Sequence, residues 1–314
     1  MSDRTIIKGH AAMLGANTCW GLMAPVAKLV MAGAVISPLM LTDCRIVGAA
    51  LLFWVMSFFS RREHVPARDL ALLAGAGMLG ILFNQGCYIF GVGFTSPGEA
   101  SIITTTMPMW VMVLSRVLLG TPVTGRKIAG ILLGATGAVT LIYSSVKVTV
   151  SGNNPVLGDL LVLTAQFSYA LYLTLYKDFL RKYSMVTLMK WMFTFAAAAI
   201  IPFSIQTAAT TAWASLSATE WAGVAYVVVM GTFVAYILMM AGQKALPPTV
   251  VGIYNYFQPV VATCVGLWLG LDVMTPFKGL AMLFIFSGVF LVTTAGAPRR
   301  QQVTALSFKA KVTP

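Results

Sequence analysis

The amino-acid sequence predicts an all-α polytopic membrane protein: ten transmembrane helices, arranged as two inverted five-helix repeats. Three observations predict this class. First, 58% of the 314 residues are hydrophobic and only 10% are charged, whereas about 25% are charged in an ordinary soluble domain. Second, the apolar runs reach about 20 residues, the length that a membrane-spanning helix needs. Third, the two halves of the chain share a pattern of glycines and prolines. The composition excludes a disordered chain, which would be rich in charge and poor in apolar residues.

Charged or turn-forming clusters divide the apolar sequence into ten segments. The predicted spans are 9–32, 36–59, 69–93, 98–119, 125–143, 157–178, 185–205, 218–242, 248–270 and 275–296. The break at 95–98 is the shortest, so a nine-span protein with helices 3 and 4 fused is the competing interpretation. Basic residues before the first span are also found in cleavable signal peptides. The apolar run of the first span has about 24 residues, however, whereas the apolar region of a signal peptide has about 7–15, which favours a retained helix.

The basic residues predict the orientation of the chain, because cytoplasmic loops of membrane proteins are enriched in Lys and Arg. With ten spans and a cytoplasmic N-terminus, sixteen of the 21 basic residues fall on the cytoplasmic side. The opposite side holds Lys147 and Lys278, with Lys28 near its edge. Both termini are therefore expected in the cytoplasm, and the net charge of +12 reflects topology, with no nucleic-acid partner.

An internal repeat relates the two halves of the chain. The segment 9–28 aligns with 158–177, and in this register Asn17 matches Gln166 and Trp20 matches Tyr169. A second ungapped register matches Gly80, Gly91, Pro97, Pro108, Lys127 and Gly137 with Gly231, Gly242, Pro248, Pro259, Lys278 and Gly288. We therefore divide the chain into a first repeat at 9–143 and a second at 157–296. Each repeat has an odd number of spans, so the second must enter the membrane from the opposite side, as in many secondary transporters.

Several short patterns resemble the EamA-type repeat of the drug/metabolite transporter superfamily. They are Trp20-Gly21 with Pro25 and Lys28 in helix 1, Gly98 to Pro108 entering helix 4, and Pro259 with Gly266 in helix 9. The resemblance covers about residues 9–295. It implies export of amino acids or related metabolites, and peripheral helices 5 and 10 that can mediate a dimer contact. Such repeats often carry a glutamate just after helices 4 and 9, where this chain has Thr121 and Asp272.

Polar and aromatic residues inside the spans predict the substrate cavity. Positions 17 and 20, like 166, 169 and 172, are three apart and share one face of a helix. Pro108 and Pro259 free the carbonyls of Thr104 and Asn255 from their helical bonds, and broken helix backbone is tolerated where it lines a cavity. Hydrogen bonding between helices is the alternative explanation for these side chains. The predicted substrate-binding residues are Asn17, Trp20, Asn84, Gln85, Tyr88, Thr104, Gln166, Tyr169, Tyr172, Tyr236, Asn255 and Gln258.

Charge inside a membrane span is costly and often functional, and the residues of interest for this reason are Asp43, Arg45, Glu99 and Lys190. Asp43 and Glu99 are candidates for proton coupling, although a facilitator would need neither. Partial hydration of Asp43 and the dipole of helix 4 acting on Glu99 are the alternative explanations. Arg45 is expected to snorkel or to pair with a lipid headgroup, and Lys190 is expected to snorkel from the end of helix 7.

The sequence carries no enzyme motif and predicts no cofactor and no metal. The segment 120–125 has P-loop spacing, but Arg126 stands where the motif requires Lys. A membrane enzyme acting on a lipid-linked substrate would need clustered Asp, His or Glu, whereas the nine acidic residues are scattered.

These observations predict a secondary transporter in the cytoplasmic (inner) membrane of a bacterium. It would export or exchange small metabolites, above all amino acids or related amphipathic compounds, by alternating access. A drug, nucleoside or sugar carrier of the same fold is the alternative. The expected partners are the small-molecule substrate and the lipid bilayer. Small residues such as Gly130 and Gly134 of helices 5 and 10 allow a homodimer contact, and packing within one chain explains them equally well.

Overall fold

The computed structural model describes residues 3–146, 154–246, 250–251, 254–255 and 257–294. Within these ranges the regular structure is entirely helical. Lys147, Pro248, the final residues of the second predicted repeat and the C-terminal tail lie outside the described residues. The predicted helical membrane fold is confirmed.

Ten long helical segments follow one another among the described residues, and each overlaps one predicted span. Seven of the described helices are long and apolar enough to cross a membrane. Thr95 between α3 and α4 is extended, with φ −103° and ψ 178°, so the nine-span interpretation is wrong. The helices are α1 Asp3–Ala32, α2 Pro38–Phe58, α3 Ala67–Phe94, α4 Pro97–Leu119, α5 Gly125–Val146, α6 Pro155–Leu175, α7 Met185–Thr210, α8 Ala218–Ala245, α9 Phe257–Trp268 and α10 Pro276–Thr294.

Serine residues set the start of several helices. The side chains of Ser37 and Ser184 accept a hydrogen bond from a backbone N–H in the first turn of α2 and α7. Ser96 and Ser217 form capping boxes with Glu99 and Glu220 at the starts of α4 and α8. Each cap satisfies an N–H group that the first helical turn leaves without a partner, so a short polar loop is enough to reverse the chain.

The two repeats run in opposite directions. Near the end of α1, Lys28 donates hydrogen bonds to the carbonyl oxygens of Gly93 and Thr95, at 3.0 and 2.6 Å. The Thr95 hydroxyl also donates to Asp159 near the start of α6, at 2.6 Å. The end of α1 and the beginning of its repeat mate α6 therefore lie at the same end of the bundle, which makes the repeat inverted.

Glycine contacts between the halves follow the same two-fold relation. A Cβ atom added to Gly91 of α3 would lie 2.8 Å from the carbonyl oxygen of Gly158 in α6. The repeat mates of these residues are Gly242 of α8 and Gly9 of α1, where the equivalent distance is 3.4 Å. The α3–α6 contact is thus repeated as the α8–α1 contact, and at Gly91 the approach of backbone to backbone is close enough to require glycine.

Helices α5 and α10 pack against each other through their glycine faces. A Cβ atom on Gly288 would lie 2.5 Å from the carbonyl oxygen of Gly130, and one on Gly137 would lie 2.9 Å from that of Ala281. These two contacts are again repeat mates. The glycines are therefore buried within one chain, and the expected homodimer contact through these faces of α5 and α10 is not supported.

Each third helix of a repeat contains a widened π-helical segment. These segments are Met78–Phe83 in α3 and Tyr226–Val234 in α8. Gly80 in the first segment packs against the ring of Tyr172, and its mate Gly231 packs against Met23. π-helical turns are rare and concentrate at functional sites, and this pair lies directly beside a central cavity.

Candidate functional site

A cavity of about 410 Å³ lies between the two repeats, within the size range of small-molecule sites. Ten of the twelve predicted substrate-binding residues line it. Both repeats contribute, as the pseudo-two-fold relation requires. The ten residues are Trp20, Asn84, Tyr88, Thr104, Gln166, Tyr169, Tyr172, Tyr236, Asn255 and Gln258.

The other two predicted residues, Asn17 and Gln85, are buried away from the cavity lining. The Asn17 amide donates to the carbonyl oxygen of Met13 at 2.9 Å, one turn earlier in α1. This hydrogen bond lies within α1 and does not join two helices, and the side-chain oxygen of Asn17 has no hydrogen-bond partner among the described residues.

Aromatic rings form much of the cavity wall. Trp20 meets Tyr236 edge to face, with ring centroids 6.0 Å apart. The rings of Tyr169 and Tyr172 are 5.5 Å apart, and both residues belong to α6, the repeat mate of α1. Methionines fill the space between the rings, including Met23, Met189 and Met239. The wall thus combines flat apolar faces with hydroxyl and indole donors.

Polar groups on the wall are held by contacts between helices. The Asn84 amide in α3 donates to the carbonyl oxygen of Ala165 in α6, at 2.9 Å. Thr104 precedes a turn at Thr105–Thr106 that interrupts α4 just before Pro108. Asn255, the repeat mate of Thr104, also lies in a turn. Both positions line the cavity, which is where non-helical backbone is tolerated within a membrane.

Arg45 corrects a prediction from the sequence. It was expected to snorkel or to pair with a lipid headgroup, but its side chain is only 4% exposed and lines the cavity. Its Nε atom donates to the Thr232 hydroxyl of α8 at 2.8 Å. Arg45 lies seven positions after Pro38, about 10 Å along α2 at 1.5 Å per residue. This depth is the signal by which the sequence could have identified it.

The two candidate coupling residues do not line the cavity. Asp43 lies on another face of α2 and accepts a hydrogen bond from the Ser204 hydroxyl of α7, at 2.8 Å. Glu99 caps the start of α4 and lies 3.5 Å from the Lys278 ammonium group. Asp43 is thus held by a neutral partner, whereas Glu99 belongs to a charged network.

This network closes one end of the bundle, which we call the ion-pair end. Lys278, near the start of the last predicted span, is only 2% exposed. Its ammonium group forms an ion pair with Asp272 and donates to the Ser96 hydroxyl at 3.0 Å. Asp272 also accepts a hydrogen bond from the Gly98 backbone N–H at 3.0 Å. These contacts join α4 of the first repeat to the α9–α10 connection of the second.

The cavity extends toward the opposite end, which we call the mouth end. Its lining there includes Leu180 and Met185 beside the α6–α7 connection and Gln243 and Thr293 near the ends of α8 and α10. Gln243 and Thr293 are exposed. The cavity is therefore reached from the mouth end and lies beneath the ion-pair end.

Polar contacts at the rim of the mouth end hold the first repeat to the second. Lys182 and Tyr183 both donate to the carboxylate of Asp69 at the start of α3. The hydrogen bond to Asp69 raises the pKa of Lys182 above its usual value. The Ser184 N–H and hydroxyl groups donate to Glu63, at 3.0 and 2.9 Å.

Comparison with known proteins gives a consistent result along the whole chain. The model of the EamA-like transporter family matches residues 7–143 and again residues 156–294. Among curated proteins, "Uncharacterized transporter YetK" of Bacillus subtilis (strain 168) is 23% identical, over 76% of this chain and 73% of that protein. "Protein PecM" of Dickeya dadantii (strain 3937) is 26% identical, over 76% of each chain. "Uncharacterized inner membrane transporter YedA" of Escherichia coli (strain K12) is 27% identical, over 82% of this chain and 81% of that protein.

A solved crystal structure has the same fold. It aligns with 93% of this chain and 97% of its own chain, with a TM-score of 0.60 and 18% sequence identity. At this identity the likeness concerns the fold alone.

Proposed function

The chain belongs to the EamA-like transporter family, and on that premise we propose that it is a secondary transporter of small metabolites. The proposed substrates are amino acids or related amphipathic compounds, moved by alternating access across the cytoplasmic membrane of a bacterium. The direction would be export or exchange.

The observation that carries this proposal is the cavity between the two inverted repeats. Its aromatic wall suits an apolar or aromatic side chain, and Asn84, Thr104, Gln166 and Asn255 offer hydrogen-bonding groups. A volume of about 410 Å³ accommodates a molecule of amino-acid size. Secondary transporters bind their substrates in this way, at the interface between repeats.

Alternating access is supported by the difference between the two ends of the bundle. The network of Lys278, Asp272 and Glu99 joins the repeats at the ion-pair end, whereas the cavity extends to the mouth end. The repeat mates of Asp272 and Glu99 are Thr121 and Val250, so no acidic residues occupy the matching positions of the other repeat. Separation of the network would open the ion-pair end, and closure of the mouth would accompany a rearrangement of the Asp69–Lys182 and Glu63–Ser184 contacts that join the repeats at the rim.

The mouth end faces the cytoplasm in this proposal. The positive-inside rule supports that assignment, because Arg61, Arg62, Lys182 and Lys244 all belong to loops or helix ends at the mouth end. The structure would then represent an inward-facing state.

Transport by reconstituted protein tests this function. Proteoliposomes would be loaded in turn with radiolabelled amino acids, nucleosides, sugars and drugs. Trp20→Ala and Tyr169→Ala each remove an aromatic face from the wall, so we expect flux of the transported compound to fall at least about threefold. Protein abundance would stay near normal, since both positions border empty space.

Trp268→Ala is the matched control, because Trp268 is 83% exposed on the outer surface of α9 and does not line the cavity. It should retain full flux. Full transport of every compound by both cavity variants would contradict the assignment of the cavity as the substrate site.

A further inference from the structure

Arg45 brings a buried positive charge to the wall of the cavity. Its one hydrogen bond to the described part of the chain is from Nε to the Thr232 hydroxyl, at 2.8 Å. The two terminal nitrogens of the guanidinium group make neither a hydrogen bond nor an ion pair with any residue that the structure describes. A guanidinium group is always charged at physiological pH, so the cavity wall carries a fixed cation.

No acidic side chain neutralises this charge. Asp43 is only two residues away in sequence, but it lies on another face of α2 and binds Ser204 of α7. Among the residues that the structure describes, no Asp or Glu lines the cavity. A buried charge without a counter-ion costs several kcal/mol, and charged residues within membrane proteins mark substrate or ion pathways.

The groups around Arg45 are also hydrogen-bond donors. Tyr88 and Tyr236 line the same cavity as Arg45. The hydroxyl of Tyr88 is buried and has no hydrogen-bond partner among the described residues. A guanidinium fork beside phenolic hydroxyls matches a carboxylate, which only accepts hydrogen bonds and can bind arginine through both oxygens.

The two repeats place different side chains on equivalent sides of the cavity. A Cβ atom on Gly77 would lie 2.6 Å from the carbonyl oxygen of Met192, and one on Gly48 would lie 2.5 Å from Val228. Gly77 of α3 and Val228 of α8 are repeat mates, so the residues that they contact, Met192 of α7 and Gly48 of α2, occupy equivalent positions. Three residues earlier in each helix, Arg45 of α2 is then equivalent to Met189 of α7. Met189 also lines the cavity. One side of the cavity thus presents a cation and the equivalent side presents an apolar thioether.

We propose that Arg45 binds the carboxylate of the transported compound, which is therefore a small organic monoanion or zwitterion with an apolar or aromatic remainder. This inference rests on the proposed function and narrows its substrate class. A single guanidinium group balances one negative charge, which favours a carboxylate over a doubly charged phosphate ester. The tyrosines Tyr88 and Tyr236 complete the anion site, and Met189, Met239 and Trp20 receive the apolar part.

A thermal-shift experiment with matched probes tests the assignment in purified full-length protein. The acidic probes are 3-phenylpropionate, L-phenylalanine and 4-methylpentanoate, and the neutral control is 3-phenylpropanamide, which keeps the size and ring of the first probe. We expect at least one of the carboxylates to stabilise the wild type, and the amide to leave its Tm unchanged. Arg45→Met, which copies the residue of the other repeat, should bind the stabilising carboxylate roughly 10- to 100-fold more weakly.

Further variants separate binding from folding. Without ligand, Arg45→Met should be at least as stable as the wild type, because it replaces an uncompensated charge by an apolar side chain. Arg45→Lys keeps the charge without the fork and should bind with intermediate affinity, so it reports on the site even if Arg45→Met does not fold. Arg116→Gln, at an exposed position of α4, should behave as the wild type.

Three results would overturn the inference: equal stabilisation by 3-phenylpropanamide, retained carboxylate binding by Arg45→Met, or no stabilisation of the wild type by any carboxylate. Arg45-dependent binding without flux into proteoliposomes would instead support the inference and contradict the transport function. Flux of a neutral compound that Arg45→Met leaves unchanged would support transport and contradict the inference.

Discussion

The charged side chains show why single residues were hard to interpret from the sequence. Asp272 and Lys278 lie near the last predicted span boundary, where a hydrated loop was expected, yet they form a buried ion pair that reaches Ser96 and Gly98 of the other repeat. Arg45 was assigned to the lipid headgroups and lines the cavity instead. The residue types were visible, but each side chain is buried by groups more than a hundred positions away: Ser96 and Gly98 for the Asp272–Lys278 pair, and Thr232 for Arg45.

Asp272→Asn tests the buried pair at the residue scale. Removing one partner leaves the Lys278 ammonium group buried with only Glu99, at 3.5 Å, to balance it. Breaking a buried pair in this way costs about 3–5 kcal/mol, whereas replacing both partners by uncharged groups costs much less. We therefore expect a clear loss of thermal stability in detergent for Asp272→Asn and partial recovery in Asp272→Asn combined with Lys278→Met. Equal losses in the single and double variants would show that the ion pair is not what holds this end together.

At the scale of elements, the ten helices follow from the sequence because each has its own start, apolar length and end. Charged and turn-forming clusters act locally, and the boundaries that they predict lie within about six residues of the observed ones, except at the start of α9, where several neighbouring residues lie outside the described ranges. Glycine positions were equally visible, but their partners were not. The faces of α5 and α10 that suggested a dimer pack against each other inside one chain.

Two glycines of α10 provide a matched pair of substitutions. A Cβ atom on Gly288 would lie 2.5 Å from the carbonyl oxygen of Gly130, which is backbone and cannot move aside, whereas a Cβ atom on Gly279 would meet nothing within 4 Å. Gly288→Ala should therefore lower stability by about 1–3 kcal/mol, as overpacking does. Gly279→Ala should be neutral or stabilising, because Ala favours helix. Melting of both variants in detergent measures the difference, and similar behaviour would mean that α5 and α10 do not pack closely.

At the scale of the whole molecule, the inverted repeat explains both the cavity and its surroundings. Two copies of one five-helix unit meet face to face, so repeat mates such as Trp20 and Tyr169 reach the same space from opposite sides. The two repeats differ in sequence at the positions that form the ion-pair network and the charged side of the cavity. Asp272 and Glu99 have uncharged mates, as does Arg45, and this asymmetry allows one end to close through ion pairs while the other surrounds the cavity entrance.

Cysteine labelling in intact cells tests the orientation of the whole molecule. Arg62→Cys lies at the mouth end, and Ala214→Cys lies at the ion-pair end between α7 and α8, at an exposed position. We expect an impermeant maleimide to label Ala214→Cys only, and a permeant one to label both. A tag at the C-terminus should report a cytoplasmic location together with Arg62→Cys. Labelling of Arg62→Cys by the impermeant reagent, or a periplasmic C-terminus, would contradict the proposed topology.

The sequence by itself determined the fold class, the ten spans, the repeat and ten of the residues that line the cavity. It could do so because hydrophobic length, helix caps and repeat registers are local or periodic signals. In addition, a polar residue within an apolar membrane helix faces the interior of the bundle or a cavity. The tertiary structure alone decided which charges are paired, which glycines meet, and that Arg45 lines the cavity with no acidic partner. Those facts depend on contacts between α2, α4, α7, α8 and α10, which are far apart in sequence, and the direction of a side chain around a helix is fixed only when its neighbours are in place.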